Sequence, residues 1–211
     1  MSKTFSEFET AVRSDLNDAG EATWTDAEIA RAIRKALFAY SHVKPAEAIG
    51  TIALQDDGRE ISLSTLTGLI DVHRVWWPYE ADKPGYPPRW VRFQLWDDNA
   101  TLFIDEKSEP QSGDVVRVFY TKLHTINGLD GENVTTVPTE DEELIILGAT
   151  AYAAIQKTRK VIDQINVSER TPARWSQWGM RRLSEFRRAL ARLASDMKHD
   201  YDARVAVDWE A

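Results

Sequence analysis

The 211-residue chain has no cysteine and only four histidines. Without a thiol there is no disulfide, no thiolate nucleophile and no cysteine-containing zinc site, and the chain suits a reducing compartment. His42, His73, His124 and His199 are far apart, and no H-x-x-x-H or H-E-x-x-H spacing occurs, so the helical zinc signatures are missing too. There is no G-x-S-x-G elbow, no Walker-type phosphate loop and no G-x-G-x-x-G run. The adjacent acids Asp56-Asp57 and Asp97-Asp98 fall in expected turns, where Asp is favoured for local backbone reasons. Asn127–Asn133 is polar and glycine-containing but lacks the spacing of a calcium loop. Together these absences predict a protein that is not an enzyme, with no cofactor and no metal. No stretch approaches the roughly 18 apolar residues of a membrane span. The opening MSKTFSEFETAV lacks the basic-then-apolar pattern of a secretory signal. The expectation is a soluble protein made in a cytoplasm, with no membrane partner.

What is present is a charge asymmetry. The formal net charge is −8. Residues 171–199 carry seven basic side chains against Glu185 and Asp196, a local +5 that leaves −13 on the rest of the chain. A globally acidic chain is a poor candidate for wrapping DNA, because neutralising phosphates takes many Lys and Arg. One basic helix on an acidic body fits an oriented contact, or simply a solvated helix face.

Hydrophobic periodicity divides the chain into helix, strand and helix. Thr4 and Glu7 form a capping-box pattern ahead of Phe5, Phe8, Val12 and Leu16 on one face. Trp24-Thr25-Asp26-Ala27-Glu28-Ile29 is a stronger start, with Thr25 and Glu28 as a second capping box and Trp24 as a hydrophobic staple. Ile29, Ala32, Ile33, Ala36, Leu37 and Tyr40 make its stripe, and Pro45 marks the end. A third helix begins near Pro138-Thr139, its stripe running Leu144, Leu147, Gly148, Ala151, Ile155, Thr158, Ile162 and Ile165. A fourth restarts at Thr171-Pro172, with Trp175, Gly179, Leu183, Phe186, Leu190, Leu193 and Met197 on one side. Arg174, Arg181, Arg188 and Arg192 line up on nearly the opposite face. Tyr201–Ala211 lose the pattern and read as a tail carrying Trp209.

Between Thr51 and Thr121 the period changes to two. Asp57-Gly58 is a turn signal between runs 51–54 and 60–63, read as a hairpin. Ile70–Trp77, Trp90–Trp96, Thr101–Ile104 and Val115–Tyr120 follow, with a tight turn at Asp97–Asn99. The predicted fold class is therefore α+β. A four-helix bundle-like domain, two helices from each end (residues 1–48 and 122–200), is interrupted at 49–121 by a small antiparallel β insert, either a sheet or a partial barrel. Residues 201–211 form the C-terminal tail.

Eight tryptophans are many for this length, and Trp76, Trp77, Trp90 and Trp96 lie in the insert. Adjacent Trp76 and Trp77 must point to opposite faces of a strand, so the insert is expected to offer an aromatic partner surface. Packing in a core or between subunits competes with a ligand-stacking platform as their role.

The stretch Asp15-Leu16-Asn17-Asp18, Trp24-Thr25-Asp26-Ala27-Glu28-Ile29-Ala30-Arg31-Ala32-Ile33, Ala36-Leu37 and Tyr40 resembles the opening of tailed-phage head-to-tail adaptor proteins, also called connector or head-completion proteins. Leu144–Ile155 is similar to that family's next helix, and Arg174-Trp175, Trp178, Arg182-Leu183 and Phe186-Arg187 resemble its closing helix. The resemblance covers both helical ends and the β middle only loosely; the insert is longer than the compact all-helical adaptors carry. It implies a virion neck protein made in the bacterial host cytoplasm: a homo-oligomeric ring, usually of twelve copies, beneath the portal protein. DNA would pass through its channel without sequence-specific binding, and a tail, stopper or nozzle protein would bind below. It further implies that the C-terminal segment, with Tyr201 and Trp209, engages the portal. Arg174, Arg181, Arg188 and Arg192 are expected to meet acidic residues of a neighbouring subunit or of the portal. Two other functions remain open at this point: a carbohydrate- or protein-binding module of a phage particle using the Trp-rich insert, and a DNA-binding protein using the basic C-terminal helix.

Overall fold

A computed structural model describes residues 2–21, 23–82, 87–162 and 170–208, with the backbone alone at 158–162, 170–173 and 198–208. The chain forms two compact units, one from Met1–Lys44 with His124–Ala211 and the other from Pro45–Leu123. Helices α1 (Phe5–Asp15), α2 (Asp26–Ser41), α3 (Glu142–Ile162) and α4 (Arg170–Asp208) make the first. Strands β1 (Ala46–Ala53), β2 (Glu60–Ser62), β3 (Leu69–Trp76), β4 (Phe93–Trp96), β5 (Thr101–Ile104) and β6 (Val115–Lys122) make the second. The α+β class with a β insert is as expected, and the insert is two three-stranded antiparallel sheets without barrel closure.

Local sequence chemistry sets the helix starts. The Glu7 carboxylate accepts from the Thr4 backbone N–H at 2.7 Å and from its hydroxyl at 2.8 Å. Glu28 does the same for the Thr25 N–H at 3.0 Å, while the Thr25 hydroxyl accepts from Glu28 N–H at 3.3 Å. These reciprocal bonds satisfy amides that the first helical turn leaves without partners. Trp24 is buried in the same core as Ile29, and it also ties distant elements. Its indole N–H donates to the Ala153 carbonyl at 3.2 Å, and its ring meets Trp175 edge-on at 5.2 Å.

The α2 stripe is buried as the periodicity requires, and so are Phe8, Val12 and Leu16 of the α1 stripe, with Phe5 only partly buried. Over Leu144–Ile155 the α3 stripe is not the one expected; Ile165 lies outside the described residues, as do the side chains of Thr158 and Ile162. Ile145, Ile146, Ala149, Ala153 and Ala154 are buried alongside Ala151, while Leu144, Leu147 and Ile155 are only partly so. The reason is position: α3 packs against α1, α2 and α4 together, so no single face defines it. Close approach is built in at two glycines. A Cβ on Gly148 would stand 2.8 Å from the Phe186 ring, and one on Gly179 would stand 2.9 Å from Ile155 Cγ1. α4 is buried through Leu183, Phe186 and Leu190, whereas Ala194, Ser195, Asp196 and Met197 are all exposed, so the helix leaves the core beyond Leu193. Its backbone stays helical to Asp208, beyond the point at Tyr201 where the apolar pattern fades.

In the insert the strand orders are β1-β6-β3 and β2-β5-β4. The expected hairpin between 51–54 and 60–63 does not form. β1 pairs with β6, and β2 pairs with β5. The Gly58 turn instead carries the chain from one sheet to the other, held by Gly58 N–H to the Pro110 carbonyl at 2.9 Å and Ser112 N–H to Asp57 at 2.7 Å. The turn at Asp97–Asn99 does form, with φ of 52°, 52° and 68°, a conformation that Asp and Asn tolerate better than other side chains. Both sheets contribute to one core, in which Val75, Leu102, Ile104, Val116 and Val118 are fully buried.

Candidate functional site

The arginine row of α4 follows from its packing. Leu183, Phe186 and Leu190 fix the helix rotation, and Arg174, Arg181, Arg188 and Arg192 are then all exposed. Among the described residues they are held only by local contacts: Arg181 lies 3.6 Å from Glu185, and Arg188 Nε donates to the Ser184 carbonyl at 3.3 Å. Exposed pairs of this kind contribute little to stability, on the order of 0–1 kcal/mol. The row is a charged surface on the helical unit with no structural task of its own. Arg182 is different, lying 5.4 Å over the Trp178 ring and 4.0 Å from Asp15. Tyr201 lies on the helical backbone of α4, and Trp209 lies outside the described residues.

The four insert tryptophans separate into three places. Trp77 turns into the core at 4% exposure and donates from its indole to Asp114 at 3.1 Å. Trp96 lies on the β2–β5–β4 sheet, stacked on Phe103 with centroids 4.6 Å apart. Only Trp76 and Trp90 come together, joined by a β-bridge and an edge-on contact at 6.2 Å. Around this pair the outer face of the β1–β6–β3 sheet gathers residues that the tryptophan count alone did not reveal. Trp90 meets Phe119 at 5.3 Å, Trp76 meets Tyr79 at 5.0 Å, and Arg74 sits 5.4 Å from the Trp90 ring. Arg117 lies 4.8 Å from the Tyr79 ring and 5.6 Å from that of Phe119, and donates to the Tyr79 hydroxyl at 2.7 Å. The signal was available in β6, where Val116, Val118 and Tyr120 alternate inward and so force Arg117 and Phe119 outward.

Two buried polar nodes brace the helical unit. In the first, Arg13 is 4% exposed and pairs with Asp18 at 3.3 Å, Glu9 at 3.2 Å and Asp26 at 2.5 Å, and donates to the Trp24 carbonyl at 3.0 Å. Asp18 also accepts from the Thr23 and Trp24 N–H groups at 2.9 and 3.0 Å. Burial pushes its carboxyl up, but those amides, the Thr23 hydroxyl and Arg13 outweigh it and hold the carboxyl below its ordinary value. In the second, the Tyr40 hydroxyl donates to Asp141 at 2.6 Å and Lys44 reaches the same carboxylate oxygen at 2.7 Å. Burial and that carboxylate together push the Tyr40 hydroxyl far above its ordinary pKa.

His124 stands beside Tyr40, its Nε2 against the Lys44 carbonyl at 2.9 Å and its Nδ1 against the Thr136 hydroxyl at 3.0 Å. A carbonyl only accepts, so Nε2 carries the proton and Nδ1 accepts from Thr136. Burial keeps this ring below its ordinary pKa, despite hydrogen bonds that favour the cation. Among the described residues no cluster of three or more His, Asp or Glu could hold a metal ion, and no helix is long and apolar enough to cross a membrane.

No family model matches the chain, and no curated protein matches it. Among solved structures, a chain described as "Neck of empty GTA particle computed with C6 symmetry" is similar at 16% identity with a TM-score of 0.33, over 70% of this chain and 75% of its own. A chain described as "Neck of native GTA particle computed with C12 symmetry" is similar at 13% identity with a TM-score of 0.32, over 83% and 92%. Likeness at such scores carries no weight for function, which has to be read from the chain's own surfaces.

Proposed function

We propose that this chain is a structural, non-catalytic head-to-tail adaptor of a tailed phage or prophage. In this role it is one subunit of a ring beneath the portal that joins capsid to tail and lets DNA through. The observation that carries the reading is the exposed row of Arg174, Arg181, Arg188 and Arg192 on a chain of net charge −8. A ring needs heterologous contacts, in which one face of a subunit meets a different face of the next, and a basic row on an acidic body supplies two unlike faces. The capped α2 start and the order of the helices, which resemble the adaptor family, agree with it. The acidic remainder suits a channel wall along which DNA slides without sticking.

The test is charge reversal. A variant with all four arginines changed to Glu should keep its circular dichroism spectrum yet be lost from purified particles and from rings assembled on the portal. Normal incorporation of that variant would refute the reading. So would duplex-DNA affinity of the native chain that falls steeply with salt, because that is the signature of phosphate neutralisation.

A further inference from the structure

On the outer face of the β1–β6–β3 sheet, Arg117 has no counter-ion. Among the described residues its contacts are the Tyr79 hydroxyl and the Tyr79 and Phe119 rings, with no carboxylate, and its Nε is enclosed without a hydrogen-bond partner. The strand register places Ile49, Phe119 and Arg74 in one row and Thr51, Arg117 and Trp76 in the next. Ile49 is 54% exposed and Trp90 43%. Guanidinium groups laid on aromatic rings, with apolar side chains in the open between them, form the composition of an interface hot spot. A cation already drawn partly out of water gains most from a carboxylate brought in by a partner.

The other sheet carries the complementary chemistry. On its outer face Trp96 and Phe103 stack almost parallel, at 16°. Beside Phe103 is an open hollow of about 390 Å³ lined by Asp57, Gly58, Arg59, Glu60 and Glu109. Three carboxylates outnumber the single cation Arg59, which is turned onto the backbone carbonyls of Ile104, Glu106 and Lys107, so the hollow is acidic. Both sheets cover the same core, so their outer faces look out on different sides of the unit.

We propose that the Arg–aromatic face of β1–β6–β3 docks on the acidic aromatic face of β2–β5–β4 in a second copy of this chain. Arg117 and Arg74 enter the hollow bounded by Glu60 and Glu109, and Trp90 and Ile49 cover the Trp96–Phe103 stack. The contact is head to tail, so it continues from copy to copy. Its closure into a ring rests on the adaptor reading, whereas the contact itself does not.

The absence of cysteine makes the test clean. Full-length Thr51→Cys and Ser62→Cys chains carrying different tags are mixed at about 100 µM, where weak contacts populate, in a glutathione redox buffer. Both substituted positions are exposed. The mixed disulfide should form about tenfold faster than with a Ser6→Cys control partner. It should fall to the control rate when Arg117→Glu is added to the first chain, and recover when Glu60→Arg and Glu109→Arg are added to the second, the charge-swap behaviour of a steered, complementary interface. A mixed yield equal to the control, insensitivity to Arg117→Glu, or an excess of the Thr51→Cys homodimer would overturn the proposal. The α4 arginines are untouched in this experiment, so it can fail while the adaptor reading stands, and succeed while that reading fails.

Discussion

Replacing Asp18 by Ala perturbs the helical unit at the node that joins α1 to the start of α2. Its side chain is 3% exposed and accepts from the Arg13 guanidinium and from two backbone N–H groups. Removing one partner of a buried pair costs about 3–5 kcal/mol, and each buried amide left without an acceptor adds about 1–3 kcal/mol when nothing replaces it. These costs overlap here, because Arg13 keeps Glu9, Asp26 and the Trp24 carbonyl. The expected loss is therefore about 3 kcal/mol. Asp26 sits closer to Arg13, at 2.5 Å, but its side chain is 78% exposed. Asp26→Ala should cost about 1 kcal/mol or less, because solvent screens that pair.

Acid adds a second readout. The Asp18 carboxyl is held below its ordinary 3.8, so its contribution is fully present above that value. It is lost as the pH falls from there through the lower folded value. Asp18→Asn should remove this part of the acid slope while keeping the side-chain shape. Urea unfolding followed by far-ultraviolet circular dichroism reports on the helices, all of which lie in one unit. Equal losses for Asp18→Ala and Asp26→Ala, or an unchanged acid slope in Asp18→Asn, would refute the reasoning.

Two further outcomes follow from packing. Gly148→Val places a Cβ 2.8 Å from the Phe186 ring and 3.0 Å from Ala36 Cβ, both fully buried. The overpacking should cost about 2 kcal/mol despite the gain in helix propensity, seen as a lower urea midpoint. Trp77→Ala should destabilise the insert by about 3–5 kcal/mol. Trp90→Ala, at 43% exposure, should leave the insert's melting transition nearly unchanged, and a large loss at Trp90 would contradict its place on an outer surface.

The parts of the fold legible in the sequence were those fixed by neighbours a few residues away. Both capping boxes, the α2 stripe, most of the α1 stripe and the tight turn at Asp97–Asn99 depend on local spacing, and these formed as read. Strand pairing depends on partners far along the chain. Asp57-Gly58 marked a turn correctly, but whether β1 continues to β2 or pairs with β6 is decided by the shared core, which no short window contains. The α3 stripe was misplaced because a helix surrounded on several sides has no dominant period. The burial of Arg13 is not visible in any short window, because its three acidic partners come from α1, the turn after it and the first turn of α2. Of the candidate site residues, the α4 arginines could be placed from helical geometry alone. The tryptophans could not, because counting them says nothing of which two meet; the alternation in β6 turns Arg117 and Phe119 outward, but strand register is what sets them beside Arg74 and Trp76.

The chain leaves the helical unit after Lys44 and returns at His124, and these two residues are joined by a hydrogen bond of 2.9 Å. On the insert's side the first and last ladder partners, Ala46 and Lys122, are themselves opposite one another. Departure and return thus share one doorway, so the loop-closure entropy of the excursion depends only weakly on how long it is. The insert is in that sense a cassette. A lineage can lengthen, redecorate or exchange it while the helices keep their own contacts, so the two units are free to diversify at different rates.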